Sequence, residues 1–143
     1  MLLDGSAMNQ QELRDRTKAF ARRIVPLCHS LPNEWDIREI GKQLLRSATS
    51  VAANYRACTR ARSGKEFCSK LAVVVEESDE SQLWLELLPE TYVGIEIKLH
   101  KALLGEAGEL TAIFRASHRT AKLNLRKKKT DKKKGHANGA TCP

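Results

Sequence analysis

The sequence predicts an all-α protein, an antiparallel up-down four-helix bundle with a disordered basic C-terminal tail. Four segments repeat apolar residues at the three- and four-residue spacing of one helix face. The stretches between these segments are short and carry Pro, Gly, Ser or Asn, as helix connections do. No strand pattern competes with them, because the β-like run from Val73 to Val75 lies inside a long helical period.

The first two helices are predicted over residues 9–31 and 36–58. In the first, apolar side chains share one face, and Pro26 removes one backbone hydrogen bond, so a kink is expected there. In the second, Asp36 is the expected N-cap and Glu39 completes a capping box. Small residues on the inner face of this second helix allow a neighbouring helix to approach closely.

The third and fourth helices are predicted over residues 63–88 and 95–122, with a break from Pro89 to Gly94 between them. The third is apolar on two sides, which predicts two packing partners, its own bundle and another subunit. In the fourth, Gly105 and Gly108 each weaken the helix by about 1 kcal/mol relative to Ala.

Charge is distributed unevenly along the chain. The predicted organisation is a flexible N-terminus over residues 1–8, the bundle over 9–124 and the disordered basic tail over 125–143. The tail carries seven Lys/Arg and one Asp, and therefore +6 of the formal net charge of +8. Residues 14–70 hold 13 basic and 5 acidic side chains, whereas residues 71–110 hold 2 and 9. Such polarity suits complementary packing of helices or subunits and leaves one basic surface.

A stripe of cations on the second helix is the candidate nucleic-acid-binding surface, because cations in line give salt-sensitive, sequence-independent affinity for phosphates. The alternatives are a solvated helix face or pairing with the acidic third helix. The tail lysines are suited to wrap nucleic acid as a flexible arm, the alternative being a solubilising terminus. The candidate residues are Arg38, Lys42, Arg46, Arg56 and Arg60 in the stripe and Lys127, Lys128 and Lys129 in the tail.

The second apolar side of the third helix is the candidate subunit interface. It is mixed with the acidic cluster from Glu76 to Glu80, whose carboxylates are expected to pair with Arg46, Arg56 or a neighbouring subunit. A metal site is disfavoured, because bundle metal sites use Glu-x-x-His pairs that this cluster lacks. The candidate interface residues are Val73, Glu77, Glu80, Leu83, Trp84 and Leu87.

Polar side chains interrupt the inner face of the third helix. Buried polar groups require hydrogen-bond partners, so a polar layer that sets the register of the second and third helices is expected. A small-ligand pocket is the alternative. The layer is expected to join Ser78, Ser81 and Gln82 to Ser47, Ser50, Asn54 or Tyr55.

Several functional classes are disfavoured by what the sequence lacks. The four cysteines have no CxxC spacing and no secretory signal precedes them, so free thiols in a reducing cytoplasm are expected. No apolar run approaches the roughly 20 residues that span a bilayer, so no membrane partner is expected. The four histidines show no ligand spacing and are expected at the surface. The prediction is a cytoplasmic protein without catalytic, cofactor-binding or metal-binding residues.

Most of the predicted bundle resembles the four-helix-bundle family of 23S rRNA-intervening-sequence proteins, also labelled S23 ribosomal protein. The matching segments are FARRIVPLCHSLP (20–32), IGKQLLRSATSVAANYRACTRARS (40–63), EFCSKLAVVVEESDESQLWLELL (66–88) and ELTAIFRASHRTAK (109–122). Two departures are Pro26, where a helix former is expected, and Gly108, where an acidic residue is expected.

This resemblance implies a four-helix bundle, assembled in some members as a ring-like homopentamer, with no enzymatic activity attached to the family. The family is similar to the accessory variability determinant proteins of diversity-generating retroelements, which bind a reverse transcriptase and RNA. The ribosomal label reflects gene location within large-subunit rRNA genes.

The leading hypothesis is a non-enzymatic, oligomeric adaptor that binds structured nucleic acid, RNA in preference to DNA, through the stripe and the tail. By analogy with family members, its partners are other copies of itself, in a pentamer, RNA, and a nucleic-acid enzyme such as a reverse transcriptase. The alternative is a protein–protein scaffold whose charge polarity serves ring assembly. The weakest hypothesis is a hydrolase with an unrecognised site.

Overall fold

Four α-helices make up the computed structural model, which describes residues 8–138. The helices are α1 (Gln10–His29), α2 (Trp35–Cys58), α3 (Gly64–Thr91) and α4 (Ile97–Asn138). No strand occurs among the described residues, so the predicted all-α four-helix bundle is confirmed. Residues 1–7, and with them nearly all of the predicted flexible N-terminus, lie outside the described part of the chain.

The helices run up and down around a common core. Each connection is only a few residues long, so successive helices are antiparallel neighbours. The α2–α3 pair shares the largest interface, and α1 closes the bundle against α4 with the smallest. As a result, the start of α1, the end of α2, the start of α3 and the C-terminal half of α4 lie toward the same end of the bundle.

The core consists of the inner faces that the 3.6-residue period indicated. Leu44, Leu71, Leu85 and Leu103, one or two from each of three helices, are fully buried. Full burial of one such side chain contributes about 1.5–3 kcal/mol. The ring centroid of Tyr55 lies 5.1 Å from that of Phe114 in a tilted arrangement, which joins α2 to α4.

One hydrogen bond links α2 and α3 inside the core. The Ser81 hydroxyl donates to the Ser47 Oγ at 2.8 Å, and Ser47 in turn donates to a backbone carbonyl of its own helix. The predicted polar layer is therefore confirmed for this pair. Two other proposed members instead satisfy themselves locally, because Ser78 donates to the carbonyl of Val74 and Asn54 to that of Ser50.

The start of α2 differs from the prediction. Its N-cap is Glu34, whose side chain makes no capping hydrogen bond, and the expected cap Asp36 lies inside the first turn. There the Asp36 carboxylate accepts the N–H of Ile37 at 2.9 Å. The helix begins earlier than predicted, so the carboxylate acts on the exposed N–H groups of the first turn instead of the N-cap position.

The helix α3 ends later than predicted, because Pro89 does not stop it. Pro89 lies inside the last turn and the helix continues to Thr91, although a break was expected from Pro89 onward. Proline has no N–H, so the carbonyl of Leu85 loses its usual partner four residues ahead. His100 of α4 replaces that partner, with its Nε2 2.5 Å from the Leu85 carbonyl oxygen. His100 is thus buried, and the expectation that every histidine is a surface group was wrong.

The C-terminal region also differs from the prediction. The helix was expected to end near residue 122 and residues 125–143 to be disordered, but α4 is helical to Asn138 and passes Gly105 and Gly108 without a break. From Lys122 to Lys134 the side chains are mostly Leu, Lys and Arg, which favour helix even without an apolar stripe. Residues 139–143 lie outside the described chain.

Candidate nucleic-acid interface

The up-down topology gathers cations at one end of the molecule. This basic end comprises residues 10–18, 56–70 and 114–138, which together hold eighteen Lys/Arg and four Asp/Glu. The rest of the described chain holds seven Lys/Arg and twelve Asp/Glu. Segments that are far apart in sequence therefore produce a strong positive potential on one side of the bundle.

Some cations of the basic end are neutralised by neighbouring carboxylates. Arg16 pairs with Glu106 at 2.5 Å and also with Glu109, and these two carboxylates raise its pKa against the opposing effect of burial. Arg115 lies 3.1 Å from Asp79. These pairs join α1 to α4 and α3 to α4, so their arginines serve the fold.

Other cations of the basic end take part in no ion pair among residues 8–138. They come from all four helices and from the α2–α3 connection. They are Arg14, Lys18, Arg56, Arg60, Lys65, Arg119, Lys122, Arg126, Lys127, Lys128, Lys129, Lys132, Lys133 and Lys134. Their charge is available to an external anion.

The predicted α2 stripe is divided between the two ends. Arg56 and Arg60 lie at the basic end, whereas Arg38 lies toward the other end, about 27 Å along α2 from Arg56. Arg38 donates to the Asn33 side chain at 2.8 Å. Lys42 is exposed beside Arg38, one turn farther along α2. The structure therefore brings only part of the stripe together.

Arg46, in the middle of the stripe, is engaged by α3. Its guanidinium is 3.3 Å from a Glu77 oxygen and also bonds Glu80. The hydrogen bond from Arg46 holds the pKa of Glu80 below its ordinary value. Trp84 donates to the same carboxylate at 3.2 Å. Pairing with the acidic third helix, one of the alternatives weighed for the stripe, is thus confirmed for Arg46.

The candidate subunit interface therefore contains two kinds of residue. Glu77, Glu80 and Trp84 already have partners within the chain. Val73 and Leu83 are 37% and 52% exposed on the outer face of α3, and Leu87 is half-buried beside them. The apolar members remain free to contact another molecule.

A groove between α1 and α2 opens at the basic end. Its volume is about 510 Å³, and small side chains from α2 form its floor. It is lined by Gln11, Arg14, Asp15, Lys18, Thr49, Ala52, Ala53 and Arg56. Of these, only Arg56 belongs to the predicted site, because the groove joins two helices and neither helix shows it in its own pattern.

Arg14 contacts both its own helix and the end of α2 beside this groove. Its Nη1 donates to the Thr59 hydroxyl at 3.4 Å and its Nη2 to the Gln11 side chain, while its Nε is buried without a hydrogen-bond partner. The Gln11 amide also donates to Asp15 at 2.9 Å. The lysine and arginine spacing on α1 was the available sequence signal for Arg14 and Lys18.

The α4 overhang, residues 126–138, extends past the start of α3. The side chain of Leu125 still lies near Gly64, but the side chains of residues 126–137 are all exposed. The tail candidates Lys127, Lys128 and Lys129 thus lie on an exposed helix that projects from the basic end.

Other site chemistry is limited in the described part of the chain. Its three cysteines are free thiols, and burial raises the pKa of Cys28 and of Cys58 to about 11. Residues 8–138 contain no group of three or more His, Cys, Asp or Glu arranged to hold a metal ion. None of the described helices has the length and apolar character needed to cross a membrane.

A sequence model of the 23S rRNA-intervening sequence protein family matches residues 9–116. The chain belongs to this family. A crystal structure of a protein with unknown function, from the S23 ribosomal protein family of Bacteroides thetaiotaomicron, is 32% identical with a TM-score of 0.69. The match covers 77% of this chain and 97% of that one. No curated protein matches the chain.

The family match has a consequence for the basic end of this family member. It stops at residue 116, whereas α4 continues to Asn138. The α4 overhang and its seven Lys/Arg therefore lie outside the region that defines the family. The groove residues Arg14, Lys18 and Arg56 lie inside it.

Proposed function

We propose that this protein is a non-enzymatic, oligomeric adaptor in the cytoplasm that binds structured nucleic acid, RNA in preference to DNA. One observation carries the proposal: eighteen Lys/Arg against four Asp/Glu at one end of the bundle. This excess includes cations from all four helices, most of them without an ion-pair partner among the described residues. The binding surface is the basic end, and Arg56 and Arg60 are its members from the α2 stripe.

Binding of this kind is led by charge and shape. Each phosphate that a Lys or Arg neutralises releases condensed counterions, so affinity falls steeply with salt. Base reading requires side chains that reach base edges or aromatic faces for stacking. The chain has only seven aromatic residues. At the basic end, Phe114 is fully buried and Phe67 is half-buried, so recognition follows the backbone.

Arg38, Lys42 and Arg46 have lesser roles in this proposal. Arg46 already forms an ion pair with α3, and leaving it would expose two carboxylates to the incoming phosphates. Arg38 and Lys42 lie outside the basic end, in the part of the described chain where carboxylates outnumber cations. Their contribution to affinity is the long-range potential alone, which salt screens within about 10 Å.

A second function, a protein–protein scaffold, is favoured by a different observation. Val73 and Leu83 are exposed apolar residues on the outer face of α3. We infer that this face joins copies of the chain, and by analogy a nucleic-acid enzyme such as a reverse transcriptase is a further partner. Assembly and nucleic-acid binding then use different surfaces, so they are separable by mutation.

Light scattering coupled to size exclusion separates the two functions. The full chain is run alone and with a structured RNA, at about 50 mM and about 200 mM salt. The adaptor hypothesis predicts a multimer whose mass increases when RNA is added at the lower salt. At the higher salt the mass is expected to equal that of the protein alone. A multimer that gains no RNA mass at the lower salt supports the scaffold and overturns the adaptor.

A further inference from the structure

We infer that the α1–α2 groove is a phosphodiester-binding site, with Arg14, Lys18 and Arg56 as the side chains that contact phosphate. The inference rests on the proposed function and deepens it. It assigns the nucleic-acid backbone a defined binding site within the basic end. This site includes Arg14 and Lys18, which the charge pattern of α2 alone does not indicate.

The arrangement of the three cations fits a chain of phosphates. Arg14 and Lys18 are four residues apart on α1, so they lie about 6 Å apart along its axis. Arg56 lines the same groove from α2. The three side chains therefore border one concave surface from two helices, and successive phosphates of a strand can meet successive cations.

The floor of the groove leaves room for a backbone. It is formed by Thr49, Ala52 and Ala53, at the spacing that places side chains on one face of α2. Small side chains at these positions keep α1 and α2 from filling the space between them. The resulting volume of about 510 Å³ is large enough for a sugar-phosphate unit with water.

The hydrogen bonds around the groove prepare Arg14 for an anion. Thr59 and Gln11 hold its two terminal nitrogens, which limits the side-chain freedom that binding would otherwise remove. Its Nε is buried and has no hydrogen-bond partner within the described chain. Each terminal nitrogen carries two N–H groups and uses one of them here, so the other is available to a phosphate in the groove, whereas the buried Nε is not.

Asp15 is the one carboxylate that lines the groove. It accepts a hydrogen bond from the Gln11 side chain, so part of its negative charge is offset locally. Three cations against one carboxylate leave the groove positive. The groove is also continuous with the cations of the basic end, which favours a long polyanion over a short acidic peptide.

Ala53→Glu tests the groove without removing any cation. Ala53 is exposed, and Glu is a good helix former, so the substitution is compatible with folding. The control is Ala102→Glu, the same change at an exposed position near the start of α4, at the end of the bundle opposite the basic end. Binding of an RNA hairpin is followed by fluorescence anisotropy across about 50 to 200 mM salt, after circular dichroism has checked helix content.

The inference predicts that Ala53→Glu weakens RNA binding by at least about tenfold. The slope of log affinity against log salt then becomes shallower by about 0.9 for each phosphate that the protein no longer neutralises. Ala102→Glu is expected to stay within about twofold of the unmodified protein. A triple variant, R14Q/K18Q/R56Q, is expected to show the same loss through the cations themselves, and it carries the test if Ala53→Glu fails to fold.

Three other outcomes overturn the inference at different levels. If Ala53→Glu and Ala102→Glu had equally small effects on RNA affinity, RNA binding would stand but the groove would not be its site. If the unmodified protein showed no salt-sensitive RNA binding, both the groove inference and the proposed function would be contradicted. Binding of poly-glutamate at the groove with an affinity equal to that for RNA would make it an acidic-peptide site.

Discussion

His100 of α4 lies with its Nε2 2.5 Å from the backbone carbonyl oxygen of Leu85 in α3. A carbonyl only accepts hydrogen bonds, so the Nε2 atom carries the proton and donates it. The carbonyl is available because residue 89, which would normally bond it within the helix, is a proline. The late proline of α3 and the buried histidine of α4 are thus one feature of the core.

His100→Leu is expected to reduce the free energy of unfolding by about 1–3 kcal/mol, because it leaves a buried carbonyl without a donor. Pro89→Ala supplies an N–H at residue 89, so the same His100→Leu change costs less in that background. Urea unfolding of the four combinations measures this difference. An equal cost in both backgrounds would contradict the link between the two residues.

Acid is expected to weaken the Arg46–Glu80 pair. The pKa of Glu80 is lowered in the folded protein, so its stabilising effect is complete above the unfolded value and is lost as pH falls through the folded value. Glu80→Gln removes that effect. The stability gap between the unmodified protein and this variant is therefore expected to close as pH falls below the ordinary titration range of a glutamate, and it stays under about 1 kcal/mol because Arg46 is well exposed.

The pH-dependent gap is measured by urea unfolding between about pH 7 and pH 3. Glu90→Gln, an exposed change near the end of the same helix, is the matched control and is expected to show no such closing gap. A gap that widens on acidification would mean that the Glu80 carboxylate destabilises the fold.

Gly105→Ala is expected to stabilise the protein by about 1 kcal/mol. Nothing lies within 4 Å of the added Cβ, and Ala favours the helix interior over Gly by about that amount. Gly135→Ala is the control, because it also meets nothing within 4 Å but lies on the α4 overhang, away from the core. Thermal unfolding should show a higher Tm for the first variant alone. An increase in both would mean that the overhang unfolds together with the bundle.

Removal of the α4 overhang is expected to leave the bundle intact. A chain that ends at Leu125 keeps every buried residue of α4, since the described side chains beyond it are exposed. We therefore expect an unchanged Tm and weaker RNA binding, with a shallower salt dependence through the loss of seven cations. A collapse of the Tm would show that the overhang contributes to the core or to assembly.

The helical segments with an apolar period were predictable from the sequence, whereas the α4 extension and the contact between His100 and Leu85 were not. Apolar spacing indicated each helix because one face of each is buried, as with Leu13 to Leu27 in α1. The continuation of α4 was missed, because lysines favour a helix without producing an apolar period. His100 was misassigned, because its partner exists only where Pro89 leaves a free carbonyl on another helix.

The candidate site shows the same limit. The α2 pattern placed Arg46 with Arg56 and Arg60, but carboxylates on α3 take up its charge. Conversely, the pattern did not select Arg14, which gains significance only when α1 lies against the end of α2. Charge along a helix is visible in sequence, whereas the partner that neutralises it is set by packing between helices.

Val73→Lys with Leu83→Lys tests the assembly surface. Two cations on the outer face of α3 oppose burial against another copy, so a lower mass in light scattering is expected with helix content retained. Val93→Lys, at a fully exposed loop position, is the matched control and is expected to keep the mass. An unchanged mass in the double variant would show that this face of α3 does not join copies of the chain.

The most direct test of nucleic-acid binding at the basic end is a charge-reversal comparison between the two ends of the bundle. RNA affinity is measured against salt for Arg56→Glu with Arg60→Glu, and for Lys98→Glu with Lys101→Glu, which make the same change at exposed sites of the opposite end. We expect a large loss of affinity and a shallower salt slope for the first pair only, with the multimer mass unchanged. Equal losses from both pairs, or a collapse of assembly in the first, would contradict the assignment of nucleic-acid binding to the basic end.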